Sequence, residues 1–204
     1  MPTYTNSGTI TDPSGGVGSF STTVTTSGSS GGTWDPAHKG SFTLSNSNKD
    51  CLSTLSAWDS CYSANGNINN SGKYVFRVTI TGTAVPSQIV VSNSSAVSSY
   101  IFWDSSGTSG SPGTGNVSFL PYTIGDALDF AIDWNVGHYW LQKNNGGWMN
   151  DVLGNQNPAN NTGGNVIGFI DGLTQYIIIN ANSPGQGYSL NTAPGNVSGF
   201  SPWA

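Results

Sequence analysis

The chain has 204 residues, of which 35% are hydrophobic, 11% aromatic and only 7% charged, with five Lys and Arg against ten acids for a formal net charge of −5. Five cations cannot build a phosphate-tracking stripe or grip an anionic bilayer, which sets nucleic acid and membrane surfaces aside as partners. All ten acids are Asp, and Ser, Thr, Asn and Gly fill the polar positions. That composition starves helices, while seven Trp supply apolar area for one all-β core.

Residues 1–33 are nearly free of charge and rich in Gly, Ser and Thr. They read as an extension carrying edge strands, with a strand-like piece at 18–26. Their start, MPTYTNSGTITD, has neither a basic nor an apolar leader region, and no apolar run approaches the ~18 residues of a membrane span. The protein is therefore expected to be soluble and not exported by an ordinary signal peptide. Asn69, Asn93, Asn116, Asn160 and Asn196 head Asn-x-Ser/Thr triplets, which a chain this rich in those residues produces by chance.

From Trp34 onward the alternation becomes regular. Strands are predicted at 74–80, 88–91, 100–103, 116–120, 127–134, 138–143, 166–170 and 176–180, separated by Gly, Pro, Asn and Ser clusters. Short, punctuated strands with almost no helical period imply two packed antiparallel sheets over 34–182. Cys51 and Cys61, the only cysteines, are either two free thiols or a bridge worth roughly 2–3 kcal/mol on the loop-entropy estimate. Residues 183–204 lose the alternation and scatter Pro and Gly among Tyr188, Leu190, Phe200, Pro202 and Trp203. They read as a C-terminal arm whose aromatics either fold back onto their own domain or, the preferred reading, anchor on a neighbouring subunit or capsid surface.

Four groups of residues carry a family resemblance. They are Trp34, Pro36 and Lys39 in TWDPAHKG; Ser71 to Tyr74 in SGKY; Gly125-Asp126 leading into ALDFAIDW; and Lys143-Asn144 at a hairpin tip, followed by NPANNTGG at 157–164. In type and order, over about 150 residues, this resembles the SPRY-like domains of bacteriophage and bacterial proteins. The resemblance implies a concanavalin-like, jelly-roll β-sandwich that serves as a binding or assembly module. Asp59 and Cys61 stand where those domains usually carry Arg or another polar residue, and 88–91 lacks their Gly-Val pattern.

Asp129 and Asp133 are the obvious catalytic suspects, since both lie on the polar side of one alternating strand. Residues i and i+4 on a strand are about 13 Å apart, whereas paired carboxylates in glycoside hydrolysis lie roughly 5–10 Å apart. They cannot form such a pair with each other, and nothing selects Asp104 or Asp171 as a partner from another strand. No catalytic residue is assigned. His38 and His138 fit no zinc spacing with the cysteines, and no run matches a calcium loop, although Asp50, Asp151 and Asn155 could hold Ca²⁺; no metal or cofactor is expected. The loop aromatics are better candidates: Trp103 beside Asp104, and Trp148 after a hairpin tip, either cap the two ends of the sandwich core, the favoured reading, or present a ring as sugar sites do.

The function expected from these features is a non-enzymatic bacteriophage virion protein. It would be a capsid decoration or cement protein that binds the major capsid protein as a homo-oligomer, a dimer or trimer, with polar surfaces and two gripping arms. The rival is the receptor- or glycan-binding head of a tail fibre, which would use Trp103, Asp104 and Trp148 on a host surface glycan. Against the rival stands the absence of any shaft or trimerising segment in the 204 residues.

Overall fold

The computed structural model describes residues 3–11, 17–25, 32–85, 87–93, 100–149, 155–191 and 197–203. The chain forms two compact units, Met1–Ser30 and Gly31–Ala204. In the first, β1 (Thr3–Thr11) and β2 (Val17–Thr25) form an antiparallel hairpin in unbroken register, from Thr3 opposite Thr25 to Thr11 opposite Val17.

The second unit is built from β3 (Phe42–Ser45), β4 (Asp50–Ser53), β5 (Asp59–Ile68), β6 (Lys73–Ile80), β7 (Gln88–Ser92), β8 (Tyr100–Asp104), β9 (Thr108–Ser111), β10 (Gly115–Ser118), β11 (Ala127–Asp133), β12 (His138–Lys143), β13 (Asn165–Val166), β14 (Thr174–Ala181), β15 (Gly187–Asn191) and β16 (Ser201–Pro202). One sheet has six strands in the order β10-β9-β8-β7-β14-β5. The other runs β13-β12-β11-β6-β15-β4-β3, with β16 added in parallel to β6. Every other pairing between these strands is antiparallel, as the two-sheet sandwich predicted from the strand punctuation requires.

Alternation decides which residues meet between the sheets. On β14, Ile177 and Ile179 enter the main core, while Ile178 joins a separate outer cluster with Val90 and Phe102, flanked by Tyr62, Tyr100 and Tyr176. In the main core Phe76 of β6 stacks on Phe130 of β11, with centroids 4.8 Å apart and planes within 9°. Trp103 meets Phe130 from the opposite sheet at 5.9 Å.

The C-terminal segment corrects the sequence reading. Residues 183–204 are not a free arm: β15 is an interior strand, bonded to β6 on one side and β4 on the other. Tyr188, Leu190 and Trp203 are buried in the main core, so none is available to a neighbouring capsid or subunit. Trp203 edges onto Phe76 at 5.4 Å and donates its indole N–H to the carbonyl of Asn65 on the other sheet. Phe200 is half-buried against Trp140, and Pro202 is exposed within β16. The physical reason is area: a core with this many aromatics buries the tail's rings at once, with no second subunit needed.

Other boundaries shift too. The strand predicted at 166–170 shrinks to Asn165–Val166, and that at 116–120 starts and stops earlier, at Gly115–Ser118. Cys51 and Cys61 are buried free thiols on opposite sheets, and burial pushes the Cys51 thiol well above its ordinary range, with the neighbouring Cys61 adding to the shift.

Candidate binding site

The acids of β11 are structural locks. Asp129 accepts two bonds from Arg77 of β6, from Nε at 2.6 Å and Nη2 at 2.7 Å, so both carboxylate oxygens are engaged. Burial pushes its carboxyl up and Arg77 pulls the other way. Asp133 pairs with Lys73 at 2.8 Å and accepts two bonds from Asn135. Asp126 meets Lys143 at 3.0 Å and Asn144 at 2.6 Å. Asp171 caps the backbone of Leu173 at 3.0 Å. The acids named as suspects thus hold turns and strands, each with its own partner.

Among the described residues no three His, Cys, Asp or Glu groups stand close enough to share a metal ion. His38 bonds Asp35 at 2.6 Å, and His138 packs its ring against Trp140. Asp50 is half-buried on the edge pair β3–β4, and Asp151 lies outside the described residues. Asn155 lines a shallow cleft with other amides and Thr162. Asn69 and Asn93 are buried, which removes two of the five glycosylation triplets from reach.

The loop tryptophans divide. Trp103 is fully buried, packed edge-on to Phe119 at 4.8 Å and Tyr122 at 5.6 Å, with its indole N–H donated to the carbonyl of Leu120. It is a core residue, not a platform. Trp148 is half-buried beside the fully buried Met149, and its backbone bridges Gln142. Asp104, at the end of β8, does reach the surface, but its aromatic companion there is Trp58.

Trp58, 67% exposed in the segment joining β4 to β5, is the most exposed large hydrophobic side chain among the described residues. It forms one side of a cleft of about 310 Å³ whose other lining residues are Ser87, Gln88, Asp104, Ser105, Ser106 and Asn182. Each polar group is aimed by bonds behind it. Asp104 Oδ1 accepts from the backbone N–H groups of Ser106 and Thr108, both at 3.0 Å, and from the Ser106 hydroxyl at 2.6 Å; Oδ2 receives none of these. Asn182 Oδ1 accepts from Ser87 Oγ at 2.8 Å and from the buried Gln186 amide at 3.2 Å, which turns Asn182 Nδ2 outward as a donor. Gln88 Oε1 accepts from Asn180 Nδ2 at 3.1 Å, leaving the Gln88 amide N–H groups as donors too.

The backbone supports this arrangement. Gly107 closes the β8–β9 turn with φ +91°, where a Cβ would lie 2.7 Å from the carbonyl of Phe119, so Asp104 depends on a glycine three residues on. Next to Trp58, Asp59 accepts from the backbone N–H of Ser41 at 2.5 Å and of Ser60 at 2.8 Å. Burial alone would raise the Asp59 carboxyl, but these N–H groups hold it below its ordinary range.

A larger cleft of about 460 Å³ lies between Tyr139, Val117 and Val166. Its deep polar group, the Tyr139 hydroxyl, is already shared between Ser109 at 3.1 Å and Asn165 at 3.2 Å. The amide cleft at Asn155 to Thr162 also has oriented groups, with Gln156 Oε1 and Asn157 Oδ1 each bonded to a backbone N–H, but only the cleft of Trp58 joins such groups to an exposed indole among the clefts described. Sequence reasoning reached Asp104 but missed Trp58, Gln88 and Asn182. The available signal was a Trp in TLSAWDS, a stretch with neither strand alternation nor an apolar neighbour on its own face.

No known family profile and no curated protein matches the chain. Solved structures do. The SPRY domain of human HERC1 superposes with a TM-score of 0.62 at 14% identity, covering 80% of this chain and 99% of that domain. A further human SPRY domain superposes at 0.50 and 11% identity, over 76% of this chain and 98% of its own. At such identities the likeness concerns backbone architecture, and on that ground the chain adopts a SPRY-like β-sandwich.

Proposed function

We propose that this protein is a non-enzymatic recognition module of a bacteriophage virion that holds its partner at the end of the sandwich bearing Trp58. The observation that carries the reading is the exposed indole over a cleft of pre-aimed polar groups, since a large ring left in water is costly unless something covers it. Leu52, Leu55 and Val85 are also exposed, and Val85 is tied to this end of the unit by the Gln186 amide. The virion setting rests on the resemblance of the sequence.

Capsid decoration keeps one specific support. The hairpin unit Met1–Ser30 is separate, and two strands alone are marginal in water, so a partner surface is what such a unit needs. In this reading the hairpin attaches the protein to the major capsid protein and the Trp58 cleft does the recognising. The test is co-sedimentation of the full chain, its Trp58→Ala variant and a variant lacking residues 1–30, with capsids lacking the protein and with host cells. Cell binding lost in Trp58→Ala and capsid binding lost without 1–30 are the expected results. Cell binding unchanged in Trp58→Ala overturns the recognition reading.

A further inference from the structure

We infer that the ligand of the Trp58 cleft is a neutral glycan, its sugar ring stacked on the indole and its hydroxyls bonded to Asp104, Gln88 and Asn182. The inference rests on the recognition reading and names its ligand class.

Charge comes first. The cleft holds one carboxylate and no cation, on a chain of net charge −5. Phosphate, sulfate and uronate groups are therefore repelled, which removes nucleotides and acidic polysaccharides even though a nucleobase could stack on the ring. Polarity comes next. Apart from Trp58, the lining is carboxylate, carboxamide and hydroxyl, so an apolar peptide side chain would leave those groups without partners at a cost of about 1–3 kcal/mol each.

A sugar matches both halves of the cleft. Its axial C–H face covers an indole, while its hydroxyls both donate and accept. Asn182 and Gln88 line the cleft with one amide oxygen each already bonded, which leaves their amide N–H groups to donate, and Asp104 lines it with Oδ1 bonded, which leaves Oδ2 to accept. Groups aimed before the ligand arrives lose little side-chain entropy on binding. The cleft volume of about 310 Å³ stands at the lower end of the range for ligand sites, roughly 300–1,000 Å³, which fits a short stretch of a chain or its end.

The test is titration of the full-length protein with malto-, cello-, chito- and manno-oligosaccharides, read by the indole N–H resonances of the tryptophans and by calorimetry, with heparin as the anionic control. One of the neutral series should shift the Trp58 resonance saturably, and heparin should not. Trp58→Ala should weaken binding about tenfold or more. Trp58→Phe should retain part of it. Asp104→Asn keeps the Oδ1 acceptor that holds the turn and replaces the Oδ2 acceptor with a donor, so it should weaken binding with an unchanged melting temperature. If no neutral series shifts Trp58, the glycan assignment is overturned. The recognition reading then stands only where Trp58→Ala still abolishes cell binding, with a protein as the partner. If cell binding survives as well, both fall.

Discussion

Asp126 shows how a single acid can hold two strands and report it through pH. Its carboxylate accepts from the backbone N–H of Thr123 at 2.7 Å and from Asn144 at 2.6 Å, and it pairs with Lys143 at 3.0 Å. Burial alone would raise the carboxyl, but those three partners together hold it below the ordinary Asp value. A carboxyl lowered by folding stabilises the native state above its unfolded value, near 4, and loses that contribution as pH falls through the folded value. Asp126→Asn should therefore be less stable than the parent by about 1–3 kcal/mol at pH 7. The gap should close as pH falls below about 4, the unfolded value, and through the lower folded one. Urea midpoints of both proteins across that range would show it, and a gap independent of pH would remove the ionic contribution. This contact was legible in the sequence as two separate dipeptides, Gly125-Asp126 and Lys143-Asn144. What the sequence did not contain was their meeting, because register between β11 and β12 fixes it and alternation alone does not.

At the scale of elements, legibility followed amphipathicity. The strands of β6, β7, β8, β11, β12 and β14 alternate or run apolar over three or more residues, and each was placed from the sequence. β5, ten residues reading DSCYSANGNI, was missed because only its inward positions matter to the core and several of those are Cys, Ser and Asn. β15 was missed for the opposite reason: its two core residues, Tyr188 and Leu190, stand among Gly, Ser and Pro that read as linker. Tertiary pairing overrode both local signals. Since β15 is bonded on both edges and Trp203 closes the gap between the sheets, deleting residues 183–204 should abolish cooperative unfolding rather than leave a folded sandwich. Loss of a fully buried Trp alone costs about 3–5 kcal/mol, a large share of ordinary domain stability. Thermal unfolding followed by near-ultraviolet circular dichroism would decide the matter, and a sharp transition in the truncated protein would refute it.

For the whole molecule, attachment is proposed for Met1–Ser30 and recognition for Gly31–Ala204, the two compact units of the chain. The larger unit has its own core, contributed by both sheets and closed by its own C-terminal strands. The composition of the first 33 residues already marked them as distinct from the sandwich, because a Gly, Ser and Thr tract whose large apolar side chains are few, chiefly Tyr4, Ile10 and Phe20, cannot supply a core alone. Removing residues 1–30 should then leave the melting temperature of the remainder and its affinity for whatever the Trp58 end binds unchanged, while attachment to a particle is lost. Differential scanning calorimetry on the two proteins tests the first half and the cell-binding assay the second. A fall of several degrees on deletion would mean that the hairpin completes the sandwich, and the separation of attachment from recognition would fail with it. An unchanged transition with retained binding would assign recognition to the sandwich alone, where Trp58, Asp104, Gln88 and Asn182 share one cleft.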